Sequence, residues 1–248
     1  MRRLAVELIP RDRARLLDDY AAAREALPEM TDVNLPDLLR MPLRSWEGAS
    51  ALRSAGASGV IPHIRATDIA PDGPLPGAGE PELREILVVA GDPPPDETHR
   101  TYPNTSIEII ARYRREAPHL KVYAAFDPYR RAPYLELEEV QRKRDAGAAG
   151  FFTQPLFDRR MLELSAEWLA DDTVFWGVSP VVGPKSRAYW ERVNHVVFPR
   201  DFDTGLDANV AFAREVLNFA KVRGDNAYLM PLRVDLAAYL GPLRDVFF

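Results

Sequence analysis

The feature that most constrains this chain is a rhythm. Short apolar runs alternate with longer amphipathic ones from the first residues to the last. Brief runs rich in Val, Ile, Leu and Phe, bounded by turn-forming residues, read as buried strands, and the longer runs read as helices that cover them. Candidate strands are Leu4–Ile9, Thr31–Leu35, Gly59–Ile64, Glu85–Val89, Leu120–Phe126, Gly150–Gln154, Thr173–Val178 and Ala227–Pro231. Helical spacing covers Arg11–Leu27, Arg44–Ala55, Thr105–Glu116, Leu135–Ala146, Arg159–Ala170, Lys185–Val193 and Asp207–Val222, with a last turn or two at Arg233–Tyr239. Val210, Ala213, Val216, Leu217 and Ala220 share one face of the Asp207 segment, which predicts a helix lying on a core. Thr105 and Glu108 have the spacing of a capping box. Only the crossover "ATDIAPDGPLPGAGEPELRE" lacks a helical pattern. An open doubly wound sheet normally has five or six strands, so eight βα units predict a closed α/β barrel of the (β/α)₈ type. A chain of 248 residues is the usual length for such a barrel as one domain spanning residues 1–248.

Composition narrows the function classes. The chain has no cysteine, which excludes disulfides, thiolate metal sites and a cysteine nucleophile. The formal charge of −5 argues against broad nucleic-acid binding. No run approaches the roughly 20 apolar residues of a membrane span, and the start "MRRLAVELIPRDR" is interrupted by Glu7, unlike a signal peptide. A cytoplasmic protein is expected, with no membrane or nucleic-acid partner. His63, His99, His119 and His195 fall on separate elements without ligand spacing, so no metal site is expected. "GVSPVVGPKSR" lacks the glycine spacing of a phosphate loop, and no G-x-G-x-x-G occurs.

In such a barrel, chemistry sits at the C-terminal ends of the strands. Those ends carry Glu7, Asn34, His63, Asp92, Phe126 with Asp127, Gln154, Ser179 and Arg233. Glu7, set between Val6 and Leu8, would be desolvated there, which raises a carboxyl's pKa and suits a general acid; an interior Arg or Lys partner would equally explain it. Asp92 follows Gly91 and precedes Pro93–Pro95, either as ordinary turn chemistry or as an acid held on a stiff loop. His63 is either a ligand contact or a satisfied core histidine. Gln154 ends an apolar strand just before Pro155, where it either caps backbone groups or meets a ligand.

Four segments in order, "VELIPR", "IPHIRATD", "ILVVAGDPPP" and "QRKRDAGAAGFFTQPLFD", resemble the strand motifs of the methylenetetrahydrofolate reductase family. That resemblance implies reduction of 5,10-methylenetetrahydrofolate to 5-methyltetrahydrofolate with NAD(P)H as the hydride source. Glu7 would be the general acid, Asp92 would stabilise the iminium, and Gln154 would bond the pterin edge, with Ser186 also placed at the substrate. Around a flavin the family positions correspond to Asn34, His63, Gly91, Phe126, Arg142 and Lys143. Ala90 stands where the family has an FAD-holding arginine, and Asn34 and Phe126 also depart from it. The implied outcomes are therefore FAD held by altered contacts, direct hydride transfer without flavin, or dependence on a partner subunit. By charge and position, Lys185 and Arg187 are candidates for a polyglutamate tail. A folate-binding or regulatory subunit without redox activity is the alternative, and a homo-oligomer is compatible with either. An unrelated lyase or aldolase barrel would carry a Schiff-base lysine or metal-binding carboxylates at strand ends, and the strand ends as read from sequence carry neither.

Overall fold

A computed structural model describes residues 2–92 and 99–248. Eight parallel strands close into one barrel in sequence order: β1 (Leu4–Glu7), β2 (Asp32–Leu35), β3 (Gly59–Arg65), β4 (Glu85–Val89), β5 (Lys121–Phe126), β6 (Phe151–Thr153), β7 (Val174–Val178) and β8 (Asn226–Leu229). The outer layer is α1 (Arg13–Ala26), α2 (Ser45–Ser54), α3 (Ser106–Glu116), α4 (Pro133–Asp145), α5 (Arg159–Trp168), α6 (Gly183–Val193), α7 (Leu206–Arg223) and α8 (Leu236–Leu240). β1 pairs with β8 through Ala5 and Tyr228, so the sheet has no edge. The eight expected strands are all present, and the β3–β4 crossover holds only a short 3₁₀ turn at Ala66–Asp68 before its loop.

Local chemistry explains the helix starts. Thr105 Oγ1 accepts from the Glu108 amide at 3.2 Å while Glu108 accepts from the Thr105 amide at 2.8 Å, completing the expected box at α3. Asp12 and Asp158 cap α1 and α5 by accepting backbone N–H groups of their first turns. On α7, Ala213, Val216, Leu217 and Ala220 are fully buried, as their spacing predicts.

Two cores result. The larger lies between strands and helices, and the smaller fills the barrel with Ala5, Ile61, Leu87, Tyr123, Phe152, Phe175, Tyr228 and Met230. Phe152 and Phe175 stack at 4.0 Å between centroids, and Tyr123 meets both edge-on. Beneath this aromatic layer, Arg3 bridges Asp32 and Glu85, and Tyr123 donates to Glu85 at 3.1 Å. Burial that would leave these carboxylates unpaired is offset by the arginine fork they share. No helix among the described residues is long and apolar enough to cross a membrane.

Candidate active site

Above the aromatic layer the barrel opens into a cavity of about 310 Å³ at the C-terminal ends of the strands. The strand register decides what faces it. Glu7 is paired with Asn34, and its neighbour β8 brings Tyr228 to the same interior layer. The Tyr228 hydroxyl donates to Glu7 Oε2. Burial pushes the Glu7 carboxyl up to about 7, and the tyrosine bond restrains the rise by favouring the charged form. Burial, and then the adjoining carboxylate, hold the Tyr228 hydroxyl well above its ordinary value, so it remains a donor. The interior Arg or Lys that would have made Glu7 a plain ion pair is not its partner; Arg3 serves Asp32 and Glu85 instead.

His63 is also buried at the cavity, edge-on to Tyr228 with ring centroids 6.5 Å apart. Burial pushes its imidazole down to about 3, which leaves it neutral. Behind it, Asn34 Nδ2 lies 3.2 Å from His63 Nε2. Gly91, just past the end of β4, has φ +92, and a Cβ there would lie 2.5 Å from Thr67 Oγ1. Only glycine lets the chain turn at that point.

Charged residues brace the rim. Arg44 bridges Asp37 and Asp68, Arg65 pairs with Asp68 at 3.1 Å, and Arg65 also donates to the Asp92 carbonyl at 2.5 Å. Asp92 is exposed at the rim, and Pro93–Pro95, expected to stiffen the turn beyond it, lie outside the described residues. On the opposite side, Lys143 donates to the Ala125 carbonyl at 2.8 Å, and burial lowers its pKa. Arg131 pairs with buried Glu136 at 3.2 Å. Tyr189 and Trp190 on α6 close one wall.

The structure therefore brings Glu7, His63, Gly91, Asp92, Lys143 and Gln154 to one cavity, with Asn34 immediately behind His63. Gln154 is half-buried, and among the described residues its side-chain amide has no hydrogen-bond partner, so it does not cap the strand end as its sequence context allowed. Three expected site residues lie elsewhere. Phe126 is fully buried in the outer core against Trp168, because alternation along β5 turns it away from the barrel interior. Arg142 is exposed on α4 and pairs with Glu138 at 3.5 Å. Ser186 lies on α6 away from the cavity lining. Of the residues expected around a flavin, His63, Gly91 and Lys143 line the cavity with Asn34 behind His63, while Phe126 and Arg142 lie away from it. Among the described residues no cluster of His, Asp and Glu could hold a metal ion.

Sequence reading missed Tyr228, Asp37 and Arg65. Tyr228 was accessible in principle, since closing the barrel pairs β8 with β1 and alternation then turns Tyr228 inward beside Glu7. The Asp37–Arg44–Asp68–Arg65 chain joins β2, α2 and the β3 crossover, and carries no local pattern.

No protein-family model matches this sequence, and no curated protein does. Solved structures do. A 2,3-dimethylmalate lyase of the PEP mutase/isocitrate lyase superfamily is 13% identical with a TM-score of 0.57, over 94% of this chain and 75% of its own. A native KDPGal structure is 15% identical with a TM-score of 0.51, over 96% of this chain and 91% of its own. A designed cube-shaped protein cage, built by fusing symmetric oligomeric domains, is 15% identical with a TM-score of 0.52, over 97% and 70%. At such identity the likeness establishes the fold. These comparisons overturn the reading of the chain as a methylenetetrahydrofolate reductase. A 2,3-dimethylmalate lyase barrel is among its structural neighbours, no family model or curated protein supports folate chemistry, and Phe126, Arg142 and Ser186 lie off the cavity. What is established is a (β/α)₈ barrel with a cavity at the C-terminal ends of its strands.

Proposed function

We propose that this protein is a lyase-type acid–base enzyme that moves a proton at the carbon beside a carbonyl group of a small ligand. The observation that carries the reading is Glu7, a carboxyl held near 7 at the base of the cavity with Tyr228 as its donor. A group with that pKa is present in both forms near neutral pH, so it can remove a proton in one step and return it in another. In the first step the Glu7 carboxylate takes the proton from carbon, the C–H electrons form the enolate, and hydrogen-bond donors of the cavity hold the enolate oxygen. In the second, the protonated Glu7 gives the proton back to carbon or to a leaving oxygen. Tyr228 stabilises the carboxylate form through its hydroxyl and so holds the pKa near neutrality, where both forms are populated. That a 2,3-dimethylmalate lyase uses a barrel of this shape supports the reaction class.

The test is isotope exchange. The protein is incubated in D₂O with a panel of 2-oxo acids and hydroxy-oxo acids, and loss of the proton beside the carbonyl is followed by ¹H NMR. Exchange well above the buffer rate is expected for at least one compound, falling by about 10²–10⁴-fold in Glu7→Gln. A panel that exchanges no faster than buffer, or a Glu7→Gln variant that exchanges at the wild-type rate, refutes the proposal.

A further inference from the structure

At the cavity base, the contact of Asn34 Nδ2 with His63 Nε2 at 3.2 Å joins two side chains that are both buried. An amide nitrogen only donates, so in this arrangement His63 Nε2 accepts and the ring proton resides on Nδ1. The reverse arrangement, with the amide turned over, would let Nε2–H donate to the amide oxygen. It would also bury an NH₂ group without an acceptor, whereas the observed arrangement leaves only the Asn34 Oδ1 acceptor without a partner. Buried donors without partners are rarer than under-satisfied carbonyl oxygens, so the observed arrangement is favoured. His63 is held from the other side as well: the Ser45 hydroxyl donates to the His63 carbonyl at 2.6 Å and fixes the strand that carries the ring. Among the described residues Nδ1 has no protein partner, and the ring lines the cavity. The charged or titratable neighbours are Glu7 on β1, Tyr228 on β8 and Arg65 on β3, none of which bonds either ring nitrogen.

We infer that Asn34 is a positioning residue that fixes His63 as the neutral Nδ1–H tautomer, so that His63 offers a hydrogen-bond donor to a ligand carbonyl in the cavity. The inference rests on taking the cavity as the reaction site. It narrows the ligand class to compounds that present a carbonyl oxygen to the cavity base. A neutral imidazole suits this place: it is a donor to a developing enolate oxygen that does not give up its proton to Glu7.

The decisive measurement is a long-range ¹H–¹⁵N correlation spectrum of protein labelled at histidine, with His63→Gln used to assign the signal. The expected wild-type result is the Nδ1–H pattern. Asn34→Asp places an acceptor opposite Nε2 and should move the proton there, exchanging the pattern. A wild-type Nε2–H pattern, or a pattern unchanged in Asn34→Asp, overturns the inference. The wild-type spectrum decides even where the variant does not fold. The tautomer is read without turnover, so a failed isotope exchange with a confirmed Nδ1–H pattern dismisses the lyase reading alone.

Discussion

Replacing Glu7 with glutamine tests the central electrostatic argument without any substrate. The carboxyl is displaced from 4.5 to about 7 by burial. A raised carboxyl pKa means that the folded state holds the proton more tightly than the unfolded chain. Stability is therefore greatest below the unfolded value and falls as pH rises through the window between the two. At about 1.4 kcal/mol per pKa unit, the full loss is about 3 kcal/mol, of which about 2–3 kcal/mol falls between pH 5 and 8.5. Glutamine cannot ionise, so Glu7→Gln should lack this component. Urea denaturation of both proteins at about pH 5 and pH 8.5 gives four free energies, and the double difference cancels the titration of every other group that behaves alike in the two proteins. The variant should lose less stability across that range by about 2–3 kcal/mol, which converts to a large displacement of the urea midpoint at alkaline pH. A double difference near zero would mean that Glu7 ionises at an ordinary pKa. The same result would remove the proton carrier on which the lyase proposal rests.

Two other substitutions probe the frame that holds the site. Gly91→Ala forces a side chain into positive φ and against Thr67, so it should cost about 1–3 kcal/mol in urea denaturation, and an unchanged midpoint would show that the β4 turn is not constrained as described. Arg3→Ala leaves Asp32 and Glu85 facing each other without their shared cation and should cost about 3–5 kcal/mol, read as a fall of several degrees or more in Tm; a loss below about 1 kcal/mol would show the network to be solvated.

Much of the fold was legible in sequence because each βα unit carries its own periodicity. The eight strands needed no knowledge of one another, and Thr105 with Glu108 announces α3 within four residues. The site was legible only where a polar residue interrupts an apolar run. Glu7, His63 and Gln154 break local patterns and do line the cavity. Phe126 fits its strand well as an apolar residue, and only its parity along β5 reveals that it faces the helices. Family resemblance placed it at a cofactor, against that parity. Lys143 illustrates the opposite limit: it lies in a helix whose sequence reads as solvated charge, yet its amine reaches the end of β5. Contacts such as Arg44 with both Asp37 and Asp68 depend on how three elements meet, and no window of sequence contains them.

The layered interior also sets an order of traffic. Stacked Phe152 and Phe175, with Tyr123 against their edges and the Arg3 network beneath, close the barrel at its N-terminal end. The cavity is a blind well, and everything that enters it must leave by the same mouth. For a reaction that splits one molecule into two, the fragment nearer the rim departs first and the fragment held beside Glu7 and His63 leaves last. Inhibition by the two products should then differ in kind. The inner product competes directly with substrate, and the outer one binds only to a protein that still holds its partner fragment.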